Sequence, residues 1–161
     1  MSNYHATPYD TSASGFYFDD FEEYLAKAKN HKNDYGDLVE EIEIQFIDGD
    51  NYQLFSALGI NQANLEQWFD DFEDLNGDDL IKAIYLAEYC AENISDILDK
   101  LDDVSLFEGT ATEYAEEYIN DCGLLSDLPE QLHYYFDVEA FGRDMVLGGD
   151  ITEVEIMNTS Y

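Results

Sequence analysis

Apolar and acidic residues alternate along this chain in patterns that predict its elements. From Glu40 to Asp48, Ile42, Ile44 and Phe46 fall on one side and Glu41, Glu43 and Gln45 on the other. That strict period of two predicts a strand with one core face and one acidic face. Upstream, Tyr4 to Tyr9 and Gly15 to Phe18 read as short strands joined by the polar turn 10–14, and Asp19 to Asn30 reads as a helix with Phe21, Leu25 and Ala28 on its apolar side. Lys27 and Lys29 near its carboxyl end suit the helix dipole.

Downstream, helical spacing takes over. Asp48-Gly49-Asp50 predicts a turn, and Tyr52, Leu54, Phe55 and Leu58 a short helix ended by Gly59. Asn61 is placed to cap a helix carrying Leu65, Trp68, Phe69 and Phe72. Two more helices are predicted over Asp78 to Ala91 (Ile81, Ile84, Tyr85, then Leu86 or Ala87 inward) and Asn93 to Leu101 (Ile94, Ile97, Leu98, Leu101). Val104 to Phe107 reads as a strand. Ala111 to Cys122 is the most legible helix, with Ala111, Tyr114, Ala115, Tyr118, Ile119 and Cys122 in one stripe and Glu113, Glu116, Glu117 and Asp121 opposite. Like charges four apart in that second stripe cost about 0.2–0.5 kcal/mol each, with no Lys or Arg in the segment to relieve them. Pro129 suits a helix start, so Leu128 to Tyr135 and Val138 to Leu147 read as helices around Asp137. Gly148-Gly149 stops the second, and Asp150 to Ile156 alternates as a final strand. The expected class is α+β, an elongated chain of small subdomains over 1–60, 61–103 and 104–161, without internal repeats.

Charge changes the picture. The 161 residues hold 38 acidic against 6 basic side chains, a formal net charge of -32, and no Lys or Arg occurs from Asn33 to Ile81 or from Leu101 to Gly142. Such a balance suggests disorder when apolar residues are scarce. Here 45% of the residues are hydrophobic and 15% aromatic, which predicts a folded protein with an acidic skin. Sequence-independent binding to nucleic acid is excluded, because counterion displacement needs Lys and Arg, and the natural partner is basic. No hydrophobic run approaches the length of a membrane span, and Met1 to Asp10 has no signal-peptide pattern, so the expected compartment is the cytoplasm.

Site chemistry is sparse. Cys90 and Cys122 suit neither a disulfide framework nor a Cys zinc site and are expected to be buried free thiols. His5, His31 and His133 lack ligand spacing. Neither acidic turn beside a glycine, at Asp48 or at Asp74, fits an EF-hand register. There is no phosphate loop and no nucleophile elbow, so neither a metal, a cofactor nor catalysis is expected. The expected binding groups are instead Glu41, Glu43, Asp48, Asp50, Glu66, Asp70, Asp71, Glu73, Asp74, Asp78, Asp79, Glu113, Glu116, Glu117 and Asp121. Duplex DNA carries one negative charge per roughly 1.7 Å, about 24 over the ~40 Å span of a compact chain of this size. The protein's charge density is comparable, which makes imitation of DNA physically reasonable. An acidic chaperone or sequestering protein for another basic partner is the alternative.

The segment from Leu128 to Asp144 separates these readings. It resembles the signature of the ArdA antirestriction family, of the form LPxxLxxYIDYxAxARD, with Tyr135, Asp137, Ala140, Arg143 and Asp144 matching, Phe136 and Val138 as apolar variants and Gly142 where Ala or Gly occurs. Gly15 to Asp19, the Glu40 to Asp48 strand and the acidic helix at Tyr114 to Asp121 are similar as well. The resemblance implies a homodimeric mimic of B-DNA, carried on mobile elements or phages, that inhibits Type I restriction-modification enzymes. It places Leu128, Pro129, Leu132, Tyr135, Phe136, Asp137, Ala140, Phe141, Arg143 and Asp144 at the dimer interface, with surface carboxylates standing in for phosphates. A plain packing reading of the same segment puts Tyr134, Tyr135, Phe136 and Phe141 in the core or interface and has Arg143 neutralise one or two nearby acids.

Overall fold

The computed structural model describes residues 2–161, and the fold is α+β. The chain forms two compact units, one ending at Leu101 and one running from Asp102 to Tyr161. In the first, β1 (Asn3–Pro8) lies between β2 (Phe16–Phe18) and β3 (Ile42–Asp48), both antiparallel to it. Alternation along β3 behaves as predicted: Ile42 and Ile44 are buried and Phe46 half-buried, whereas Glu43 and Gln45 are exposed. Opposite them on β1, Tyr4 and Ala6 are fully buried.

Helices then cover the apolar face of this sheet. The first, α1 (Phe21–Ala28), is capped by Asp20, whose side chain accepts from the Glu23 amide. Its buried side differs from expectation: Tyr24 is buried and Leu25 is 50% exposed. Tyr24 wins the inner position because Phe16, Phe18 and Phe21 supply ring neighbours 5.1–6.1 Å away. After α2 (Tyr52–Ala57) comes α3 (Leu65–Gln67), which continues as a π-helical turn over Trp68–Phe72, closed by the Glu73 amide on the Trp68 carbonyl at 2.9 Å. Asn61 does not cap α3. Its Oδ1 turns back onto the Ala63 amide at 2.8 Å, and Asn64 takes the cap position. The next helix, α4 (Gly77–Glu88), stops three residues short of the expected end, where Ala91 adopts a left-handed φ of 53°. The last, α5 (Ile94–Lys100), buries Ile97 but leaves Leu98 38% exposed. Trp68, Tyr4, Phe18, Phe72, Leu54, Leu65, Ile84 and Ile97 are its largest fully buried side chains, so the helices from 61 to 100 share one core with the sheet.

The second unit is built on two helices. The first, α6 (Ala111–Cys122), starts at a capping box in which Thr110 and Glu113 satisfy each other's backbone amides, and it ends at Gly123 with φ 60°. Ala111, Ala115 and Ile119 of the predicted stripe are buried; Tyr118 is 38% exposed. A single turn, α7 (Glu130–His133), replaces the longer helix expected from Leu128 to Tyr135, because the His133 ring folds back to the carbonyls of Leu125 (2.7 Å) and Leu128 (3.0 Å). Asp137 then caps α8 (Val138–Gly148) through the Ala140 amide at 2.9 Å. Gly142 is where α8 meets α6: a Cβ there would lie 2.7 Å from the Ala111 carbonyl oxygen. Val104–Phe107 is not a strand, having no ladder partner; Gly109 instead donates to the Ser160 carbonyl, and Phe107 packs on Tyr114. The expected final strand shortens to β4 (Glu155–Ile156), which pairs with β5 (Thr159–Ser160) around Met157 and Asn158, both at positive φ as a two-residue hairpin requires. Both cysteines are exposed, contrary to expectation: each follows the last buried turn of its helix.

Candidate functional site

The predicted carboxylates fall in three runs fixed by three kinds of element. Glu41 and Glu43 project from the solvent face of the β3 segment, and Asp48 and Asp50 from the turn after it, all exposed. Glu43 is steadied by Gln45, whose Nε2 donates to it at 3.1 Å, and Gln45 in turn accepts from Thr7 at 3.2 Å. The second run follows α3 into α4: Glu66, Asp70, Asp71, Asp74, Asp78 and Asp79 are exposed. Asp78 and Asp79 occupy the first turn of α4, where the helix dipole favours negative charge. The third run is the outer side of α6, with Glu113, Glu116, Glu117 and Asp121 exposed. Hydrogen bonds from the Thr110 amide and hydroxyl hold the Glu113 carboxyl below its usual range, so it is fully ionised while serving the cap.

Glu73 stands apart from its run. It is half-buried and accepts from the Tyr4 hydroxyl at 3.1 Å, while that hydroxyl accepts from the buried Trp68 Nε1 at 2.8 Å. Desolvation pushes the Glu73 carboxyl up from its ordinary value, against the lowering hydrogen bond from Tyr4, and the neighbouring Asp74 charge pushes it further up. The group therefore belongs to the core of the first unit as much as to its surface.

The motif segment divides into structural and exposed residues. Asp137 and Gly142 have the local roles already described, and Phe136 and Phe141 are half-buried against each other with ring centres 5.7 Å apart. Leu128, Leu132 and Tyr135 are 44%, 48% and 86% exposed, together with Leu124, Tyr134 and Leu147 at 48%, 96% and 78%. Pro129 is exposed and Ala140 half-buried. Arg143 is exposed and lies 3.8 Å from the equally exposed Asp144, a loose pairing with one neighbouring acid.

Several contributing residues were not singled out from the sequence. Glu153 accepts from the Ala111 amide at 3.0 Å and caps α6 from 42 residues away, a contact no local pattern encodes. Leu124 and Leu147 extend the exposed apolar set. Asn51 is the one polar or charged side chain buried among the described residues. No group of three or more His, Cys, Asp or Glu side chains among the described residues could hold a metal ion. Likewise, no helix among them is long and apolar enough to cross a membrane.

Comparison with known proteins agrees with the motif. The family model described as antirestriction protein (ArdA) matches residues 4–157, taking in both units, all three carboxylate runs and the segment from Leu128 to Asp144. No curated protein and no solved structure matches the chain. With nearly its whole length matched by that model, this chain belongs to the ArdA family of antirestriction proteins.

Proposed function

We propose that this antirestriction protein works by occupying the DNA-binding groove of a Type I restriction-modification enzyme, its carboxylates standing where phosphates would lie. The observation that carries the reading is the conjunction of the three exposed runs with the absence of Lys and Arg from Asn33 to Ile81 and from Leu101 to Gly142. Groove-lining Lys and Arg that normally contact phosphate would meet fixed anions on rigid elements. Association would release counterions and weaken with salt, as DNA binding does. Because the anions are spread over separate elements, no single one dominates.

The protein acts as a homodimer in this reading, joined through the motif segment. Leu128, Leu132 and Tyr135 leave the apolar surface that such an interface needs, and charged residues are the ones depleted at interface centres. Replacing Leu132 and Tyr135 together with Ser should shift the protein to monomer in sedimentation and weaken inhibition; a double variant that stays dimeric would refute this interface. For the carboxylates, neutral single changes at Glu41, Glu43, Asp70, Asp71, Glu116 or Glu117 should each leave inhibition nearly intact. Abolition by any one of them would indicate a localised site instead. Equally tight binding to unrelated basic DNA-binding proteins would favour a general sequestering role.

A further inference from the structure

Asn51 occupies the N-cap position of α2, yet its side chain makes no cap bond there. A capping Asn normally stabilises its helix by accepting from a first-turn amide. Here the side chain turns inward, 7% exposed, and Nδ2 donates to the carbonyls of Glu73 (2.8 Å) and Leu75 (2.9 Å). Facing two carbonyls, only the amide nitrogen can serve, so the orientation of the group is forced. Asn76 Nδ2 holds the intervening Asp74 carbonyl at 3.0 Å. Three successive carbonyls between the π turn and α4 are thus bound by uncharged donors. Carbonyls at the end of a helix are ordinarily satisfied by water or by Lys and Arg. A cation in this position would cancel part of the surrounding charge, whereas an amide leaves all of it.

We propose that Asn51 is a positioning residue for partner binding: it fixes segment 70–79 so that Asp70, Asp71, Asp74, Asp78 and Asp79 form a preordered anionic row. The proposal rests on the functional reading above and adds to it a residue that carries no charge and touches no partner. Preordering matters because each loosely held charged side chain must otherwise be immobilised at the moment of binding.

The test uses the full-length protein, a Type I restriction-modification enzyme with unmodified DNA, and amide hydrogen exchange. Asn51→Ala removes both donors. Asn51→Asp keeps the shape, removes both donors and adds one negative charge. Ile97→Ala, a fully buried large-to-small change in α5 that also lowers stability substantially, is the control. Both Asn51 variants should speed exchange selectively in 70–79 and raise the concentration needed for half inhibition about tenfold, the cost of ordering one freed segment. The control should move neither. If Asn51→Asp inhibits as well as the parent while exchange in 70–79 rises, charge alone counts and positioning is wrong. Unchanged exchange in a folded Asn51→Ala would show that the clamp does not hold the segment. Should that variant not fold, Asn51→Ser, which keeps one donor, must show the same two changes to a smaller degree or the proposal falls. A parent protein that does not inhibit at all would instead sink the functional reading itself.

Discussion

Tyr4→Phe isolates the polar centre of the first unit. The ring lies among Phe18, Phe46, Phe55 and Phe69 with centres 5.2–5.8 Å apart, and phenylalanine would keep all of these contacts. Only the hydroxyl disappears. With it goes the acceptor for Trp68 Nε1 at 2.8 Å and the donor to Glu73 at 3.1 Å. Trp68 and Tyr4 are each 0% exposed, so water does not replace the lost partner without repacking. An orphaned buried N–H costs about 1–3 kcal/mol, and no cavity is created to enlarge that figure. Glu73 is half-buried and recovers part of its hydration, so the estimate stays with the Trp68 group. Urea unfolding monitored by fluorescence suits the test, since Trp68 is the sole tryptophan and sits at the altered bond. At a slope of about 1–3 kcal/mol per molar urea, typical for small proteins, the midpoint should fall by roughly 0.3–3 M with the slope unchanged. A midpoint within ~0.2 M of the parent would refute the account, because it would mean that Trp68 Nε1 is already solvated.

Three further outcomes follow from single positions. Gly142→Ala should lower the stability of the second unit, because the new Cβ would lie 2.7 Å from backbone that can move only by parting α6 from α8; overpacking of about 1–3 kcal/mol outweighs the roughly 1 kcal/mol gain in helix propensity, and a higher Tm would contradict it. For Glu73, the folded-state pKa lies above the unfolded one, so the native state binds the proton more tightly; its contribution is present at low pH and is lost as pH rises through the elevated value. Glu73→Gln should therefore gain stability relative to the parent as pH rises from 4 to 7, and a difference that is flat in pH would show the shift to be absent. Ala91→Gly should raise stability by up to about 1 kcal/mol in thermal unfolding, since Ala91 is exposed and holds a left-handed φ of 53° that glycine adopts freely; a loss would refute it.

The legible parts of this chain were those where one physical rule acted alone. The two-residue period of β3 and the stripe of α6 were readable because each element has one core face and one acidic face, and little else decides its orientation. The helix from Val138 was readable from local pattern, with Asp137 before it and Gly148-Gly149 at its end. The face of α1 was not, because Leu25 and Tyr24 both fit helical spacing and the choice depended on aromatic neighbours from β2. The π turn at Trp68–Phe72 lies outside any three-and-four pattern, although its anchors Leu65, Trp68 and Phe72 obey one. The closing hairpin was hidden because Met157 and Asn158 turn the chain without glycine. Asn51 was not legible, because its partners lie 22 and 24 residues away.

The central claim is tested most directly by titrating the protein into a Type I restriction-modification enzyme with unmodified DNA and following cleavage at low and moderate salt. Imitation of DNA by the carboxylate runs predicts inhibition that excess DNA competes away and that salt weakens. Absence of inhibition across several Type I enzymes, with the protein demonstrably folded, would contradict it.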